Sequence, residues 1–127
     1  MKRITYYLWL GPLFLISCFQ NKEIFVNYSN PELDYSGRVT INDNDGAELY
    51  WTGTSIKMNF EGERVSVILK DETGKNYYNV IVDEKLETLI QPDSLKQLYT
   101  LASNLTKGKH SVEIFKRNNC NLGKTQF

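Results

Sequence analysis

Residues 50–83 alternate apolar and polar side chains three times in succession, and this pattern constrains the fold more than any other part of the chain. A period of two places one face of a β-strand in a core and the other face in water. The pattern predicts strands at residues 54–60, 64–70 and 77–83, separated by short glycine-bearing turns. Because consecutive strands on tight turns commonly pair with each other, we expect these three to pair antiparallel. The segment therefore predicts the middle of an all-β, antiparallel β-sandwich.

Each of these strands is expected to send one alternating set of apolar side chains into the core. The predicted core residues are Ile56, Met58, Phe60, Val65, Val67, Leu69, Tyr78, Val80 and Val82. Further strands are predicted at residues 24–26, 39–41, 86–90, 98–101 and 109–117. The leucines between residues 95 and 105 have nearly helical spacing, but the surrounding sheet favours a strand there.

The chain's final residues, Thr125-Gln126-Phe127, are typical of the start of another strand. A sandwich needs its strands closed against each other, and an open edge invites pairing with other chains. We therefore expect a sandwich that is incomplete at its C-terminus.

The balance of charge argues against nucleic acid as a partner. The chain has 15 basic and 15 acidic residues, and loss of Lys2 and Arg3 with an N-terminal leader would leave a net charge of about −2. Phosphates would call for a clustered basic face. The length of 127 residues suits one domain, and we expect a monomer.

Residues 1–18 have the layout of a secretory signal, with Lys2 and Arg3 before an apolar run too short to span a bilayer as a mature helix. The run ends in Leu15-Ile16-Ser17-Cys18, which resembles the lipobox of bacterial lipoproteins, whose cysteine is lipidated and becomes the new N-terminus. Ordinary cleavage near Cys18 and a retained membrane anchor are the alternatives. We expect secretion across the inner membrane and a lipid anchor on Cys18 in the cell envelope, on a membrane face that the sequence leaves open.

The chain offers few groups for chemistry, and we assign no catalytic residue, metal site or cofactor. Cys120 has no nearby histidine, and the only other cysteine of the sequence, Cys18, is expected to carry lipid, so we expect an idle or buried thiol. His110 is the only histidine, and its place at a turn-to-strand junction favours a structural role.

Two acidic patterns invite a hypothesis of chemistry, and both have a simpler interpretation. Residues 42–46 resemble part of an EF-hand loop but lack the glutamate at its twelfth position, so a plain turn is favoured. The carboxylate pairs Glu61 with Glu63 and Asp71 with Glu72 lie in predicted turns, where solvated charge is the ordinary expectation.

Short segments spread over residues 35–127 resemble one family. They are Tyr35-Ser36-Gly37-Arg38-Val39, Trp51-Thr52-Gly53-Thr54-Ser55-Ile56, Phe60-Glu61-Gly62, Asn76-Tyr77-Tyr78-Asn79-Val80-Ile81-Val82-Asp83, Leu105-Thr106-Lys107-Gly108-Lys109-His110-Ser111-Val112 and Phe115-Lys116-Arg117. In this order and spacing they resemble the N-terminal domain of family 2 carbohydrate esterases. The resemblance covers residues 35–127, and together with the signal and lipobox (1–18) and a tether with a first strand (19–34) it divides the chain into three parts.

The resemblance implies a jelly-roll β-sandwich that precedes an SGNH-type hydrolase domain, in secreted bacterial enzymes that remove acetyl groups from plant polysaccharides. The family usually follows its Lys-Arg pair with Thr-Glu, whereas here Arg117 precedes Asn118-Asn119-Cys120. The chain also has no Gly-Asp-Ser turn that would carry a nucleophilic serine. The resemblance therefore implies a non-catalytic accessory domain, whose partner would be the hydrolase domain or acetylated polysaccharide.

Exposed aromatic side chains are the candidates for binding. Sugar rings stack on aromatic faces, so Trp51 and Tyr77 are candidates for carbohydrate binding or for contact with another domain. Alternation places the neighbouring Tyr78 in the core instead. A lone envelope lipoprotein that binds polysaccharide remains the alternative function, and a plain structural or protein-binding sandwich is a third.

Overall fold

The computed structural model describes residues 22–127, which form ten strands and one short 3₁₀-helix (Cys120–Leu122). The strands are β1 (Asp34–Ser36), β2 (Val39–Asn42), β3 (Gly46–Leu49), β4 (Ser55–Glu61), β5 (Val65–Asp71), β6 (Tyr78–Val82), β7 (Lys85–Ile90), β8 (Gln97–Ala102), β9 (Lys109–Lys116) and β10 (Thr125–Gln126). The predicted signal and its Cys18 lie outside the described residues. Within residues 22–127 no helix has the length and apolarity to cross a membrane.

The strands form two antiparallel five-stranded sheets, as the alternating pattern predicts. Sheet A has the order β1-β4-β9-β6-β7, and sheet B has the order β2-β3-β10-β5-β8. Strands β3 to β10 alone give the four-on-four arrangement of a jelly roll, to which β1 and β2 add one strand per sheet. The fold is therefore a β-sandwich with jelly-roll connections.

The core lies between the sheets and is built from alternate residues of the central strands. Seven of the nine core residues predicted from residues 50–83 are buried, and Met58 and Phe60 pack against them partly buried. Strand β9 contributes Val112 and Ile114 to the same cluster. The strand expected at residues 98–101 is confirmed as β8, which pairs antiparallel with β5.

The expected pairing of the three strands in residues 50–83 is wrong. Strand β4 pairs with β1 and β9, β5 pairs with β8 and β10, and β6 pairs with β7 and β9. The glycine-bearing turns at Gly62 and Gly74 carry the chain from one sheet to the other, so β5 lies across the core from the sheet that contains both β4 and β6. A turn glycine permits a reversal of direction but does not decide whether the next strand pairs beside the first or opposite it.

Two predictions near the N-terminus also differ from the structure. Residues 24–26 form no strand, and Ile24 and Phe25 are largely exposed, because no neighbouring strand lies beside them to accept their backbone hydrogen bonds. The sheet begins instead at β1. Strand β3, which was not predicted, buries Ala47 and Leu49 completely. It has four residues, too few for an alternation to stand out.

The expected terminal strand is confirmed as β10, which lies inside sheet B rather than at an edge. Thr125 pairs with Leu49 of β3 on one side and with Asp71 of β5 on the other. Phe127 continues this alignment by exchanging two backbone hydrogen bonds with Ala47. The end of the described chain is therefore held on both sides.

Candidate functional site

Trp51 lies in the turn that crosses from β3 in sheet B to β4 in sheet A, and 43% of its side chain is exposed. The guanidinium of Arg38 lies 5.2 Å from the centre of its ring, within the range of a cation–π contact. Tyr50 meets the same ring edge to face, with ring centres 5.6 Å apart. Trp51 is therefore partly exposed, but one face of its ring is already in contact with a cation.

Tyr77 lies immediately before β6 and is 36% exposed, whereas the adjacent Tyr78 is fully buried in the core as the alternation predicts. The backbone N–H of Tyr77 donates to the side-chain oxygen of Asn118. The carbonyl of Asn118 accepts a hydrogen bond from the Thr52 hydroxyl at 2.8 Å. Asn118 therefore connects the turn that carries Trp51 to the segment that carries Tyr77.

An open cleft of about 360 Å³ lies beside Tyr77 and is also lined by Leu89, Arg117 and Asn118. Trp51 does not line it. The structure thus brings the two predicted aromatic residues to one end of sheet A, but it places only Tyr77 in a concave surface. The cleft combines an aromatic ring, an aliphatic side chain and one cation.

Lys116, the last residue of β9, is fully buried behind this region. Its ammonium group donates to the carbonyl oxygens of Leu49 at 3.1 Å, Tyr50 at 2.9 Å and Gly123 at 3.0 Å. Burial lowers the pKa of Lys116, and the negative charge of Asp71 offsets part of this effect. Three carbonyls satisfy the three donors of an ammonium group, so this buried lysine is fully hydrogen-bonded.

Asp71 ends β5 and is also fully buried, so the expectation of a solvated carboxylate in a turn is wrong for this residue. The Thr125 hydroxyl and the side-chain amide of Asn76 both donate to Oδ1 of Asp71, each at 2.6 Å. The backbone N–H groups of Thr73 and Lys75 donate to Oδ2. Burial raises the pKa of Asp71, but these hydrogen bonds outweigh it and hold the pKa below its ordinary value. The carboxylate therefore fixes the β5–β6 turn against β10.

Neither Lys116 nor Asp71 was predicted from the sequence to be a buried polar residue. One signal was available for Lys116, which continues the inward positions of Val112 and Ile114 along β9. Asp71 likewise continues the inward positions of Val67 and Leu69 along β5. Period-two alternation applies to charged residues as well, and extending it by one step along each strand would have assigned both side chains to the core face.

His110 tethers two turns at the other end of sheet A. Its Nδ1 lies 2.7 Å from a carboxylate oxygen of Asp83, and its Nε2 lies 2.7 Å from the carbonyl oxygen of Thr106. The second carboxylate oxygen of Asp83 accepts the N–H of Ser111 at 2.9 Å. Histidine, serine and aspartate are thus adjacent, but Nε2 points to a backbone carbonyl and not to the Ser111 hydroxyl. The contacts are those of a structural tether.

The two remaining candidates for chemistry, the acidic turn near residues 42–46 and Cys120, do not form a site with other reactive side chains. Residues 43–45 form the turn between β2 and β3, and the side chain of Asn42 donates to that of Asp45 at 3.2 Å. In the part of the chain that the structure describes, no three His, Cys, Asp or Glu side chains cluster in a way that could hold a metal ion. Cys120 is a half-buried free thiol at the start of the 3₁₀-helix.

The jelly roll and the segments that build its turns match a known family. Residues 35–127 match the family described as Carbohydrate esterase 2 N-terminal. The chain therefore belongs to this family, as the N-terminal domain of family 2 carbohydrate esterases.

Two curated relatives agree with this assignment. The chain is 32% identical over 98 residues to the cellulase/esterase CelE of Acetivibrio thermocellus, a match that covers 77% of the chain and 12% of the relative. It is 27% identical over 112 residues to an acetylxylan esterase / glucomannan deacetylase of Cellvibrio japonicus, covering 84% of the chain and 31% of the relative. The chain thus matches less than a third of the length of either protein.

Solved structures of family two carbohydrate esterases share the fold. The enzyme from Cellvibrio japonicus superposes with a TM-score of 0.74 at 27% identity, over 80% of this chain and 30% of that one. The enzyme from Clostridium thermocellum, in complex with cellohexaose, gives a TM-score of 0.70 at 30% identity, over 75% of this chain and 29% of that one.

Replacement of Lys116 by methionine is expected to lower the free energy of unfolding by about 3 kcal/mol or more, because three buried carbonyls lose their donor. Lys109→Met on the same strand is the control, since Lys109 is exposed and its replacement should change stability by less than about 0.5 kcal/mol. Urea unfolding of both variants measures the difference. Equal stabilities of the two variants would contradict the assignment of Lys116 as a buried anchor.

His110 should make the stability of the chain depend on pH. The hydrogen bonds to Thr106 and Asp83 raise the pKa of His110, and the bond from His110 helps to lower the pKa of Asp83. A raised histidine pKa contributes stability that is complete below the unfolded value of about 6.5 and is lost as pH rises through the folded value. The aspartate contribution is present above its unfolded value of about 3.9 and is lost as pH falls through the folded value.

The comparison that isolates this effect is urea unfolding of the natural chain and of His110→Gln between pH 5 and pH 9. We expect the stability difference between them to be largest at the acidic end and to shrink as pH rises. A difference that stays constant across this range would show that the ring acts without its positive charge.

Proposed function

We propose that the chain is a non-catalytic accessory domain of a secreted polysaccharide deacetylase and works beside an SGNH hydrolase domain. The observation that carries the proposal is the match of residues 35–127 to the N-terminal domain of family 2 carbohydrate esterases. Sequence identity near 30% and TM-scores of 0.70 and 0.74 support a common fold and a common role.

The proposed substrate of the complete enzyme is acetylated plant polysaccharide. The Cellvibrio relative is named as an acetylxylan esterase and glucomannan deacetylase, and the Clostridium structure holds cellohexaose. Xylan, glucomannan and cellohexaose are all chains of β-linked sugars, so we extend this class of ligand to the enzyme in which this domain acts. The relatives reported above are esterases, and they give no support to a lone binding lipoprotein.

The groups of this chain suit an accessory role better than a catalytic one. Hydrolysis of an acetyl ester needs a nucleophile, a base that takes its proton and donors for the oxyanion. Both ring nitrogens of His110 are already engaged by Asp83 and Thr106. In this proposal the hydrolase domain carries the catalytic groups, and the sandwich supports that domain.

The test is an exchange of domains in the Cellvibrio relative, in which residues 35–127 replace the region that they match. Acetyl release from acetylated xylan and glucomannan is compared with release by a variant that lacks this region. We expect the exchanged enzyme to exceed the deletion by about tenfold, because misplacement of catalytic groups costs orders of magnitude in rate. A folded exchange variant that is no more active than the deletion would refute the accessory role.

We also propose that the chain is exported and anchored to the cell envelope by lipid on Cys18, on the basis of its signal-like N-terminus and the lipobox-like Leu15-Ile16-Ser17-Cys18. Cells that express the chain and its Cys18→Ala variant would be grown with radiolabelled palmitate. Label should enter the natural chain and be absent from the variant. Cys120→Ala is the matched control and should keep its label, whereas labelling of Cys18→Ala would exclude this anchor.

A further inference from the structure

The cleft beside Tyr77 lies on the outer face of sheet A, at the end where β6 begins and β9 ends. Tyr78 and Lys116 are paired across these strands, and both are fully buried. Because side chains alternate in direction along a strand, Tyr77 and Arg117, one step further on each strand, point outward. The backbone N–H of Arg117 donates to the carbonyl of Tyr77 at 3.0 Å. The aromatic ring and the guanidinium group therefore project side by side from one surface.

Two amide side chains border this pair. Asn79 of β6 is paired with Leu89 of β7, and both point outward in the next row of the sheet. Asn118 lines the cleft together with Leu89, and its side-chain oxygen accepts the N–H of Tyr77. Its amide nitrogen is thus the group that it can offer to a ligand. We call this site the Tyr77 cleft, which is lined by Tyr77, Leu89, Arg117 and Asn118, with Asn79 beside it.

Arg117 brings an uncompensated positive charge to the cleft. It is exposed, and neither of the two ion pairs within residues 22–127 includes it. The guanidinium of Arg38, by contrast, lies over the ring of Trp51, outside the cleft. A guanidinium group presents a planar fork of donors that matches a carboxylate in shape and charge. Arg117 is therefore the group of this cleft that selects for an anion.

Together these side chains suit a sugar that carries a carboxylate. The partly exposed ring of Tyr77 can stack on the apolar face of a sugar ring, and the amides of Asn79 and Asn118 can bind its hydroxyls. A neutral sugar would leave the guanidinium of Arg117 without an anionic partner. The volume of about 360 Å³ lies at the small end of the range of about 300–1,000 Å³ for small-ligand sites, which suits a single substituent of a polysaccharide.

We propose that the Tyr77 cleft binds a uronic acid residue of the polysaccharide, with the guanidinium of Arg117 on its carboxylate and the ring of Tyr77 against its sugar ring. The inference rests on the proposed function and deepens it, because it names a polysaccharide with acidic substituents as the substrate class. The accessory domain then holds an acidic substituent of the same polysaccharide from which the hydrolase domain removes acetyl groups.

The first test is an NMR titration of the natural chain with two probes that share a xylose backbone. One probe is xylotriose that carries a single 4-O-methylglucuronic acid, and the other is neutral xylotetraose. The acidic probe should shift the amide signals of Tyr77, Asn79 and Arg117 and bind with a dissociation constant about fivefold lower than that of the neutral probe. This preference should shrink in about 0.5 M NaCl, because salt screens exposed charges. Equal affinities, shifts confined to other surfaces, or no shifts would overturn the proposal.

Substitution of Arg117 tests the origin of the preference. Arg117→Gln should remove most of it, and Arg117→Lys should keep part of it, because lysine retains the charge but loses the planar fork. Arg64→Gln is the matched control, since Arg64 is exposed in the turn between β4 and β5, at the opposite end of sheet A, and its loss should leave the preference intact. The melting temperature checks that each variant is folded. A preference that survives Arg117→Gln, or that Arg64→Gln reduces equally, would contradict the proposal.

The exchanged Cellvibrio enzyme separates failure of this inference from failure of the proposed function. Arg117→Gln in that enzyme should lower the ratio of acetyl release from acetylated glucuronoxylan to acetyl release from acetylated glucomannan, which carries no uronic acid. An active exchanged enzyme whose ratio does not change keeps the accessory role and loses the uronate site. A folded exchanged enzyme no more active than the deletion, beside a natural chain that prefers the acidic probe, loses the accessory role and keeps the site.

Discussion

The buried ammonium group of Lys116 is the interaction on which the candidate site depends most. Its three carbonyl partners belong to the end of β3, to the turn that follows it and to the residue before Lys124, so one side chain joins both sheets and the C-terminal segment. Its backbone also exchanges hydrogen bonds with the β3–β4 turn, through Gly53 and Thr54. Trp51 lies in that turn, and Asn118 follows Lys116 by two residues. The positions of both are therefore set by this anchor.

Asp71, at the end of β5 in sheet B, is a second buried anchor. Its hydrogen bonds hold Thr125 of β10 and Asn76 of the β5–β6 turn, and Tyr77 is the next residue along the chain. A buried cation and a buried anion thus fix the two segments that border the Tyr77 cleft.

The sequence predicts the strands well and their partners poorly, for a physical reason. Alternation reports which side of a strand is buried, and it placed Val65, Val80 and Val82 correctly. Pairing depends on contacts between residues far apart in sequence, such as β4 with β9, which no local pattern encodes. Lys116 and Asp71 were missed because charged residues are rarely buried, and only the positions of their partners show that these two are satisfied. Tyr77 was predicted as exposed and is exposed, but the cleft beside it needs Leu89 from another strand.

The central claim is that this sandwich acts with a hydrolase domain, and the most direct measurement is to determine the coding DNA that follows the codon for Phe127. The account predicts that one of the three reading frames encodes a Gly-Asp-Ser turn and, further on, a histidine in a domain of the length found in the relatives. Unrelated sequence in all three frames would contradict the account, and would leave a sandwich whose partner has to be supplied by another gene.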